Sequence, residues 1–410
     1  MKSDLLEGVK VLDLANVLSG PFAGYQLALM GADVLKVEAR GGGDLARKLG
    51  SSPDLSERHL GISFLAQNSA KRSMTLNLKS EQGKDVFRQL VETHDVVLEN
   101  FRPGVLARLG FSWDTLRQIN PGIVYCAISG FGQTGPLRDR PAYDQIIQGM
   151  SGLMSVTGDS ETAPLRVGAP ISDTVGGFAA AFAISSALVR RGRTGEGAFL
   201  DVSMLEATLT AMGWVASDYL VGGSLPIPMG NENRTAAPSG TFTTADGKFN
   251  ISANKQEQFE DLCRVLGCPE LATDPRFAER ETRKANRKDL EDEIEGILKQ
   301  QPSSHWDRVL SAAGIPGGPV MDVADALDSE QITERGLVST LQIEGLQGVA
   351  DATIGPEGSV RLLGAPVHVD GAAVGPTTRP PLLGEHTDDV LCALGYSPKD
   401  IESFRSEGVI

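Results

Sequence analysis

One aspartate in this sequence stands where a protein chain can present a carboxylate as a nucleophile. Residues 140–152 read RPAYDQIIQGMSG, so Asp144 follows a proline-containing loop and begins an apolar helical pattern. Pro141 restricts the approach of the chain, and backbone N–H groups at a helix start stabilise an ionised aspartate. An aspartate in this position is more commonly an ordinary helix cap. The rest of the sequence must therefore decide its role.

Short motifs spaced along the whole chain give Asp144 a context. They are GVKVLDL at 8–14, GP at 20–21, GADVLKVE at 31–38, NSAKRS at 68–73, ENFRPG at 99–104, SGFGQTGP at 129–136, GIP at 314–316 and PLLGEHT at 381–387. In this order, and together with residues 140–152, they resemble the family III CoA-transferases. This CaiB/BaiF family includes formyl-CoA and carnitine CoA-transferases. The resemblance extends nearly end to end, which makes it far more specific than any single motif.

The resemblance implies an enzyme that moves CoA from an acyl-CoA to a carboxylic acid. The donor that it implies is succinyl-CoA or another short acyl-CoA. It further implies that Asp144, the Asp of the family's Tyr-Asp pair, forms a covalent aspartyl-CoA intermediate. We expect Tyr143 at the substrate, with Gly230, Asn231 and Arg234 of a loop that stands where formyl-CoA transferase has a glycine-rich lid.

Coenzyme A requires basic donors for its phosphates and an apolar channel for its pantetheine arm. Basic side chains at predicted loops or element ends are the candidate phosphate ligands, although a single basic side chain in such a place is more commonly a surface charge. Formyl-CoA transferase has Arg directly after the Glu of its second strand, whereas Ala39 follows Glu38 here and Arg40 comes next. The residues expected at CoA are Val17, Leu18, Ser19, Arg40, Lys71, Leu76, Asn77, Leu78, Lys79, Asn100, Phe101, Arg102, Arg108, Ser129, Gly130, Phe131 and Gly132.

Composition excludes several other classes of protein. The chain has 410 residues, 41% of them hydrophobic, and a formal net charge of −15. Nucleic-acid and anionic-membrane binders usually carry a basic surface, so a polyanionic ligand needs a local basic pocket here. The charged N-terminus lacks a secretory signal core, and residues 174–189 are too short and too rich in small residues for a bilayer span. We therefore expect a cytoplasmic protein with a buried helix at 174–189.

The cysteines and histidines show no ligand spacing. Four cysteines and five histidines are scattered without a CxxC pair. Metal and disulfide frameworks are therefore not expected. The turn after the first predicted strand, residues 16–21, also lacks GxGxxG, which argues against NAD.

The chain up to about residue 130 alternates β-rich runs with helical patterns. The predicted elements are 9–14, 22–30, 33–38, 83–93, 96–99 and 123–129. Such alternation predicts an α/β fold with a Rossmann-like parallel sheet covered by helices. A longer helix is predicted from Ser203 to about Leu220, a hairpin around Ala245-Asp246-Gly247, and a final helix near 387–394.

A Gly/Pro-rich passage at 221–228 reads as a domain boundary. We expect residues 1–222 to form the N-terminal part of the large domain and to hold the CoA site. Residues 223–319 are expected to form a smaller α+β domain. By resemblance, residues 320–410 complete the large domain, and two chains form an interlocked-ring homodimer.

Two other functions remain open at this point. The α-methylacyl-CoA racemases share the fold by resemblance, and they use a His-Asp pair and a second Asp to move the α-proton. Asp173 matches that second acid, but Tyr143 stands in place of the His, and tyrosine titrates near pH 10. A non-catalytic acyl-CoA-binding protein is the other alternative, which the Tyr143-Asp144 pair argues against.

Overall fold

The computed structural model describes residues 3–343, 346 and 358–410, and it contains two compact units. The first unit comprises Met1–Leu153, Arg166–Ser224 and Glu330–Ile410. The second comprises Met154–Leu165 and Leu225–Ser329. Residues 154–165 thus belong to the second unit, although no composition change or linker in the sequence predicts this. The predicted division into residues 1–222, 223–319 and 320–410, and the role of each segment, stay predictions.

A six-stranded parallel sheet forms the centre of the first unit. Its strands are β1 (Lys10–Asp13), β2 (Asp33–Glu38), β3 (Lys71–Thr75), β4 (Val96–Glu99), β5 (Val124–Ser129) and β6 (Ala198–Ser203). Their order across the sheet is β3-β2-β1-β4-β5-β6. The order reverses between β1 and β4, and ligands of open α/β sheets bind at such a reversal, outside the carboxyl ends of the strands.

Helices cover both faces of this sheet. The helices of this unit up to residue 222 are α1 (Ser19–Leu29), α2 (Pro53–Glu57), α3 (Ile62–Asn68), α4 (Glu81–Thr93), α5 (Val105–Arg108), α6 (Trp113–Ile119), α7 (Asp144–Met150), α8 (Ile171–Thr194), α9 (Met204–Ala211) and α10 (Trp214–Gly222). Successive strand residues point to opposite faces, so Leu12 packs with Phe87 on one side and Val11 packs with Ile184 on the other. The predicted parallel α/β fold is confirmed.

The second unit combines a small sheet with helices. Its elements are β7 (Ser239–Thr243), β8 (Lys248–Ser252), α11 (Gln256–Val265), α12 (Arg280–Ala285), α13 (Arg287–Leu298), α14 (Ser303–Ala312), β9 (Gly317–Pro319) and α15 (Val323–Asp328). Strands β7 and β8 pair antiparallel and confirm the predicted hairpin. Buried side chains including Phe249, Phe259 and Trp306 form its core.

The chain then returns to the first unit. Its elements there are α16 (Glu330–Glu334), β10 (Val338–Gln342), β11 (Ser359–Leu363), β12 (His368–Val369), β13 (Ala372–Ala373), α17 (Thr387–Ala393) and α18 (Pro398–Glu407). Short 3₁₀ turns occur at Leu45–Lys48, Leu153–Val156 and Pro269–Ala272. Helix α17 confirms the last predicted helix, and its Thr387 hydroxyl accepts a hydrogen bond from the Thr75 N–H of β3.

Two helix predictions need correction. The helix predicted from Ser203 to Leu220 is two helices, α9 and α10, because Gly213 between them has a positive φ of 53°. The helix expected to be buried, α8, is buried on one side only, and Phe182 on its other side is 76% exposed. Among the described residues, α8 is also the one helix long and apolar enough to span a membrane.

Ion pairs without solvent contact lie beneath the carboxyl ends of the strands. The Lys71 ammonium contacts the Asp13 carboxylate at 2.8 Å, and both side chains are fully buried. Burial lowers the pKa of Lys71 to about 8. By contrast, the neighbouring pair of Arg72 and Asp33 is exposed, at 37% and 42% of the two side chains.

These two pairs predict very different losses of stability. Asp13→Ala leaves the buried Lys71 without its carboxylate, so we expect the free energy of unfolding to fall by about 3–5 kcal/mol. Asp33→Ala is the matched control, with an expected loss of about 0–1 kcal/mol. Urea unfolding of both variants measures the difference. Equal losses would contradict the structural role of the buried pair.

Candidate active site

A cavity of about 490 Å³ opens at the carboxyl ends of the strands, where the order of the sheet reverses. The loops after β1, β2, β4 and β5 form its walls, with the loop before α7 and the start of α8. The lining residues are Asn16, Val17, Leu18, Ser19, Gly42, Gly43, Leu45, Lys48, Asn100, Phe101, Arg102, Pro103, Ile128, Ser129, Gly130, Arg138, Arg140, Pro141, Ala142, Tyr143, Asp173 and Met204. We call this the main cavity.

A second cavity of about 420 Å³ lies over the ends of β1, β2 and β3. It shares Asn16 and Phe101 with the main cavity. Its lining residues are Leu14, Ala15, Asn16, Val37, Glu38, Ala39, Arg40, Leu76, Asn77, Leu78, Lys79, Phe101, Val105 and Leu109. We call this the side cavity. Its walls are largely apolar, and its basic groups belong to Arg40 and Lys79.

Basic side chains surround the main cavity although the chain as a whole is acidic. Lys48, Arg102, Arg138 and Arg140 all line it, and all four are exposed. Arg102 was expected, whereas the other three were not singled out in the sequence. Their positions place a local positive charge where an anionic ligand can enter.

Asp173 is the carboxylate that lines the main cavity. It lies in the first turn of α8, and its side chain accepts no hydrogen bond from the residues that the structure describes. Burial, and then the negative charge of Asp144, raise the pKa of Asp173 to about 7. A carboxyl group of this kind is partly ionised at neutral pH and more basic than an ordinary aspartate.

Asp144, by contrast, is buried, and its carboxylate accepts hydrogen bonds from the chain. Its carboxylate is 6% exposed and is not among the groups that line the cavity. One oxygen accepts the N–H groups of Ser172 at 2.8 Å and Asp173 at 3.3 Å, and the other accepts the Gln148 amide at 2.7 Å. Arg166 is also within 3.8 Å of it. Asp144 thus caps α8 across the loop that joins the two helices.

Gln148 of α7 hydrogen-bonds both the Asp144 carboxylate and the loop before α8. Its side chain is fully buried, and its amide nitrogen also donates to the carbonyl of Ala169 at 3.2 Å. Its amide oxygen accepts the N–H of Val167 at 2.9 Å. The loop that leads into α8, and with it the position of Asp173, is therefore fixed by Asp144 and Gln148 together.

One residue of the main cavity has a strained backbone. Val17 has a φ of 67°, in the left-handed region. For a β-branched residue this is a real outlier, with a cost of about 1–3 kcal/mol. Strain of this kind persists only where neighbouring groups hold it, and Val17 lies in the wall of the cavity.

Comparisons with known proteins show which family the chain belongs to. The sequence model of CoA-transferase family III matches residues 6–387. The chain belongs to CoA-transferase family III. An acetyl-CoA:oxalate CoA-transferase of Acetobacter aceti is 43% identical over 333 residues, which are 81% of this chain and 85% of that protein. This CoA-transferase is therefore an enzyme, as the resemblance implied.

Other relatives cover almost the whole CoA-transferase chain. A succinyl-CoA:glutarate CoA-transferase of Mus musculus is 34% identical over 406 residues, 99% of this chain and 90% of that protein. A crystal structure of a CaiB/BaiF family protein from Brucella suis is 34% identical and has a TM-score of 0.81. It covers 96% of this chain, and the match extends over 100% of that one.

The structure of the CoA-transferase brings most of the expected CoA residues to the two cavities. Eight of them line the main cavity: Val17, Leu18, Ser19, Asn100, Phe101, Arg102, Ser129 and Gly130. Arg40, Leu76, Asn77, Leu78 and Lys79 line the side cavity. Tyr143, which was expected at the substrate, lines the main cavity and is 70% exposed.

The prediction that Lys71 binds CoA needs correction. Its ammonium donates to Asp13, to the carbonyl of Pro21 and to Asn68, each within 2.9 Å, so all three of its protons are used inside the protein. It lines neither cavity. A phosphate ligand is therefore the wrong expectation for Lys71, which stabilises the fold instead.

Three other expected residues lie outside both cavity linings. Arg108 is exposed at the end of α5, while Phe131 and Gly132 follow the lining residues Ser129 and Gly130 in the loop after β5. The Gly132 N–H donates to the Ser129 hydroxyl at 3.0 Å, so this residue shapes the loop. Arg40 lines the side cavity, but its guanidinium donates to the carbonyls of Gly408 and Ile410.

The lid residues predicted for the CoA-transferase lie in the second unit. Gly230 and Asn231 line a separate cavity of about 270 Å³ there, together with Lys248, Arg287 and Glu291. Arg234 is not part of that lining. Within the described residues, no group of three or more His, Cys, Asp or Glu side chains is placed to hold a metal ion.

The raised pKa of Asp173 predicts how stability depends on pH. The group has a pKa near 3.8 when unfolded and about 7 when folded. Between these values the folded state binds the extra proton, so stability falls as the pH rises from about 4 to about 7. Asp173→Asn removes this loss, because the amide resembles the protonated acid.

We therefore expect Asp173→Asn to raise the melting temperature by roughly 5 °C at pH 8 and to change it little at pH 4. Calorimetry of the variant and the native protein at both pH values is the measurement. An equal change at the two pH values would show that the carboxyl group is not held at a raised pKa.

Proposed function

We propose that this enzyme moves CoA from an acyl-CoA to a carboxylic acid through a covalent aspartyl intermediate, and that Asp173 is the aspartate. The observation that carries the proposal is that Asp173 faces the main cavity without a hydrogen-bond donor from the described residues. Asp144 has both oxygens engaged by the chain itself. On this geometry we propose Asp173, and the covalent role that the sequence predicts for Asp144 stays a prediction that the experiments below decide.

The proposed reaction has four steps, and each is a transfer between an oxygen and a sulfur nucleophile. The ionised Asp173 attacks the acyl carbonyl and the C–S bond breaks. CoA departs as the thiolate, and a mixed anhydride of Asp173 with the donor acid is formed. The thiolate attacks the aspartyl carbonyl and releases the donor acid, so Asp173 carries CoA. The acceptor carboxylate displaces that thiolate to form a second anhydride. The thiolate then attacks the acceptor acyl group and regenerates Asp173.

Asp144 has a supporting role in this proposal. By holding the N–H groups of Ser172 and Asp173, it fixes the start of α8 and directs the Asp173 side chain. Its charge also helps to raise the pKa of Asp173 to about 7, and a more basic carboxylate is a stronger nucleophile while it stays partly ionised at pH 7. The prediction that Asp144 itself carries CoA is tested against this role below.

The two cavities suit the two ends of an acyl-CoA. The side cavity has apolar walls with Lys79 near its rim, which suits the nucleotide end. The main cavity has Asp173 as its carboxylate and Arg102, Arg138 and Arg140 as basic groups. These arginines support a dicarboxylic acid as acceptor, because a guanidinium binds a carboxylate with two parallel hydrogen bonds. Succinyl-CoA or another short acyl-CoA is the proposed donor.

The nucleophile assignment predicts opposite outcomes for two isosteric variants. Asp173→Asn is expected to lower the rate of CoA transfer from succinyl-CoA to glutarate or oxalate by at least about 10³-fold. Asp144→Asn is expected to retain measurable transfer, because the amide oxygen still accepts backbone N–H groups. Chromatography of the CoA esters measures both rates. If Asp144→Asn is inactive and Asp173→Asn is active, then Asp144 is the nucleophile and the assignment to Asp173 is refuted.

Covalent trapping gives an independent answer to the same question. Hydroxylamine added during turnover converts an aspartyl thioester into a hydroxamate. Trypsin cleaves after Arg166, so Asp144 and Asp173 fall into different peptides. We expect the modification in the peptide that begins at Val167, and its absence from both peptides would refute the covalent mechanism.

A racemase-like epimerase is the second candidate, and one observation favours it. A carboxyl group with a pKa of about 7 is suited to proton transfer near neutral pH. Tyr143, in the place of the racemase His, is 70% exposed and offers no comparable base. Deuterium exchange at the α-carbon of a branched acyl-CoA, without an acceptor acid, would support this alternative. A non-catalytic acyl-CoA-binding protein would show neither exchange nor transfer.

We also propose that the enzyme is a homodimer. The described surface of the first unit exposes apolar side chains on α8 and α10, among them Phe182, Trp214, Leu220 and Val221 at 70% or more. Such side chains in water favour a partner, and a second copy of the chain fits the interlocked ring that the resemblance implies. Analytical ultracentrifugation that finds a monomer would refute this. The cytoplasmic location stays a prediction.

A further inference from the structure

The loop after β1 is held by side chains from other parts of the sheet. The Ala15 N–H donates to Asp13, and the Ala15 carbonyl accepts the Lys36 ammonium at 2.7 Å. The Asn16 N–H and carbonyl are both bound by the side chain of Asn100, at 2.8 and 2.7 Å. Each of these backbone groups is therefore fixed by a specific side chain, rather than by a strand or helix of its own.

Val17 continues this pattern, and it is the strained residue of the loop. Its N–H donates to a carboxylate oxygen of Asp44 at 2.9 Å while its φ is 67°. Asp44 belongs to the loop after β2 and does not line either cavity. A change of φ at Val17 would redirect the chain on both sides, including Leu18 and Ser19 at the start of α1.

Asp44 is itself fully buried, and its carboxylate contacts two backbone N–H groups and an ammonium. The oxygen that accepts the Val17 N–H also accepts the Ala46 N–H at 2.9 Å, and the other oxygen is 2.9 Å from the Lys36 ammonium. Its own N–H donates to Glu38 at 2.9 Å. Burial alone would raise the pKa of Asp44, but Lys36 and the two N–H donors outweigh it and keep the pKa below its usual value.

We infer that Asp44 is a positioning residue for CoA binding: by holding the Val17 N–H it keeps a left-handed residue in place and so sets the wall of the main cavity formed by residues 16–19. The inference rests on the proposed function, since it takes the ligand of that wall to be CoA or its thioester. Backbone strain held by a buried group at a ligand site is a known way to preorganise the site.

Asp44→Asn tests the inference because asparagine has a single acceptor oxygen. The Lys36 ammonium takes that oxygen, and the amide NH₂ is left facing the Val17 N–H, donor against donor. We expect Val17 to relax, and the Kd for CoA and the KM for succinyl-CoA to rise about tenfold. Calorimetric titration with CoA measures the Kd, and transfer assays measure the KM and kcat.

A second substitution in the same variant separates positioning from general stability. Glycine adopts a positive φ without strain, so Val17→Gly added to Asp44→Asn is expected to recover most of the CoA affinity. It does not restore the charge beside Lys36, so the melting temperature should stay low. Asp54→Asn, which alters an exposed pair with Arg58, is the matched control and should bind CoA like the native protein.

A further pair of variants leaves the buried ion pair intact in case Asp44→Asn does not fold. Val17→Pro removes the N–H and fixes φ near −65°, so its Kd for CoA should rise at least about tenfold. Val17→Ala removes the same side-chain contacts but keeps the N–H, and its Kd should rise much less. Equal losses in these two variants would assign the effect to the side chain and overturn the inference.

The outcomes distinguish this inference from the proposed function. If the native protein does not bind CoA, the proposed function fails first. If the native protein binds CoA and Asp44→Asn and Val17→Pro bind it equally well, then Asp44 does not position the site. If Asp44→Asn weakens binding and Val17→Gly restores it without restoring the melting temperature, the positioning role is supported.

Discussion

Buried ion pairs beneath the carboxyl ends of the central strands are the constraint on which the rest of the site depends. Asp13 with Lys71, Lys36 with Asp44, and Glu38 with Arg47 lie almost entirely out of contact with solvent. Charges in such a position are costly unless each is matched, so the loops that carry them have little freedom. The loops after β1 and β2 are consequently joined to each other beneath the cavities that they line.

The two aspartates of the site have different surroundings. The Asp144 carboxylate accepts N–H groups at the start of α8, while Asp173 lines the main cavity and has a raised pKa. Burial, and after it the negative charge of Asp144, raises the pKa of Asp173 above that of an ordinary surface aspartate.

The sequence predicted the sheet well because each strand is a short apolar run between turn residues. It could not predict which polar groups of the site are buried or hydrogen-bonded within the chain, for two physical reasons. Asp144 and Asp173 both stand at helix starts, and only the fold shows that the first caps the helix of the second. Lys71 and Arg72 are neighbours in a strand, so they face opposite sides of the sheet, and nothing in their chemistry shows which one is buried. The match of Asp173 to the second acid of the racemases was the one signal in the sequence that placed it at the site.

The strand order of this sheet is that of dinucleotide-binding proteins, but the glycine-rich turn that holds a pyrophosphate is absent from the loop after β1. The exposed side chains of Lys48, Arg138 and Arg140 at the main cavity are groups that can attract an anion there instead. Because the chain as a whole has a formal net charge of −15, these cations form a small region that attracts anions on a protein that otherwise repels them. Encounter with CoA esters should consequently depend on ionic strength, because added salt screens the attraction at the cavity mouth and the repulsion around it together.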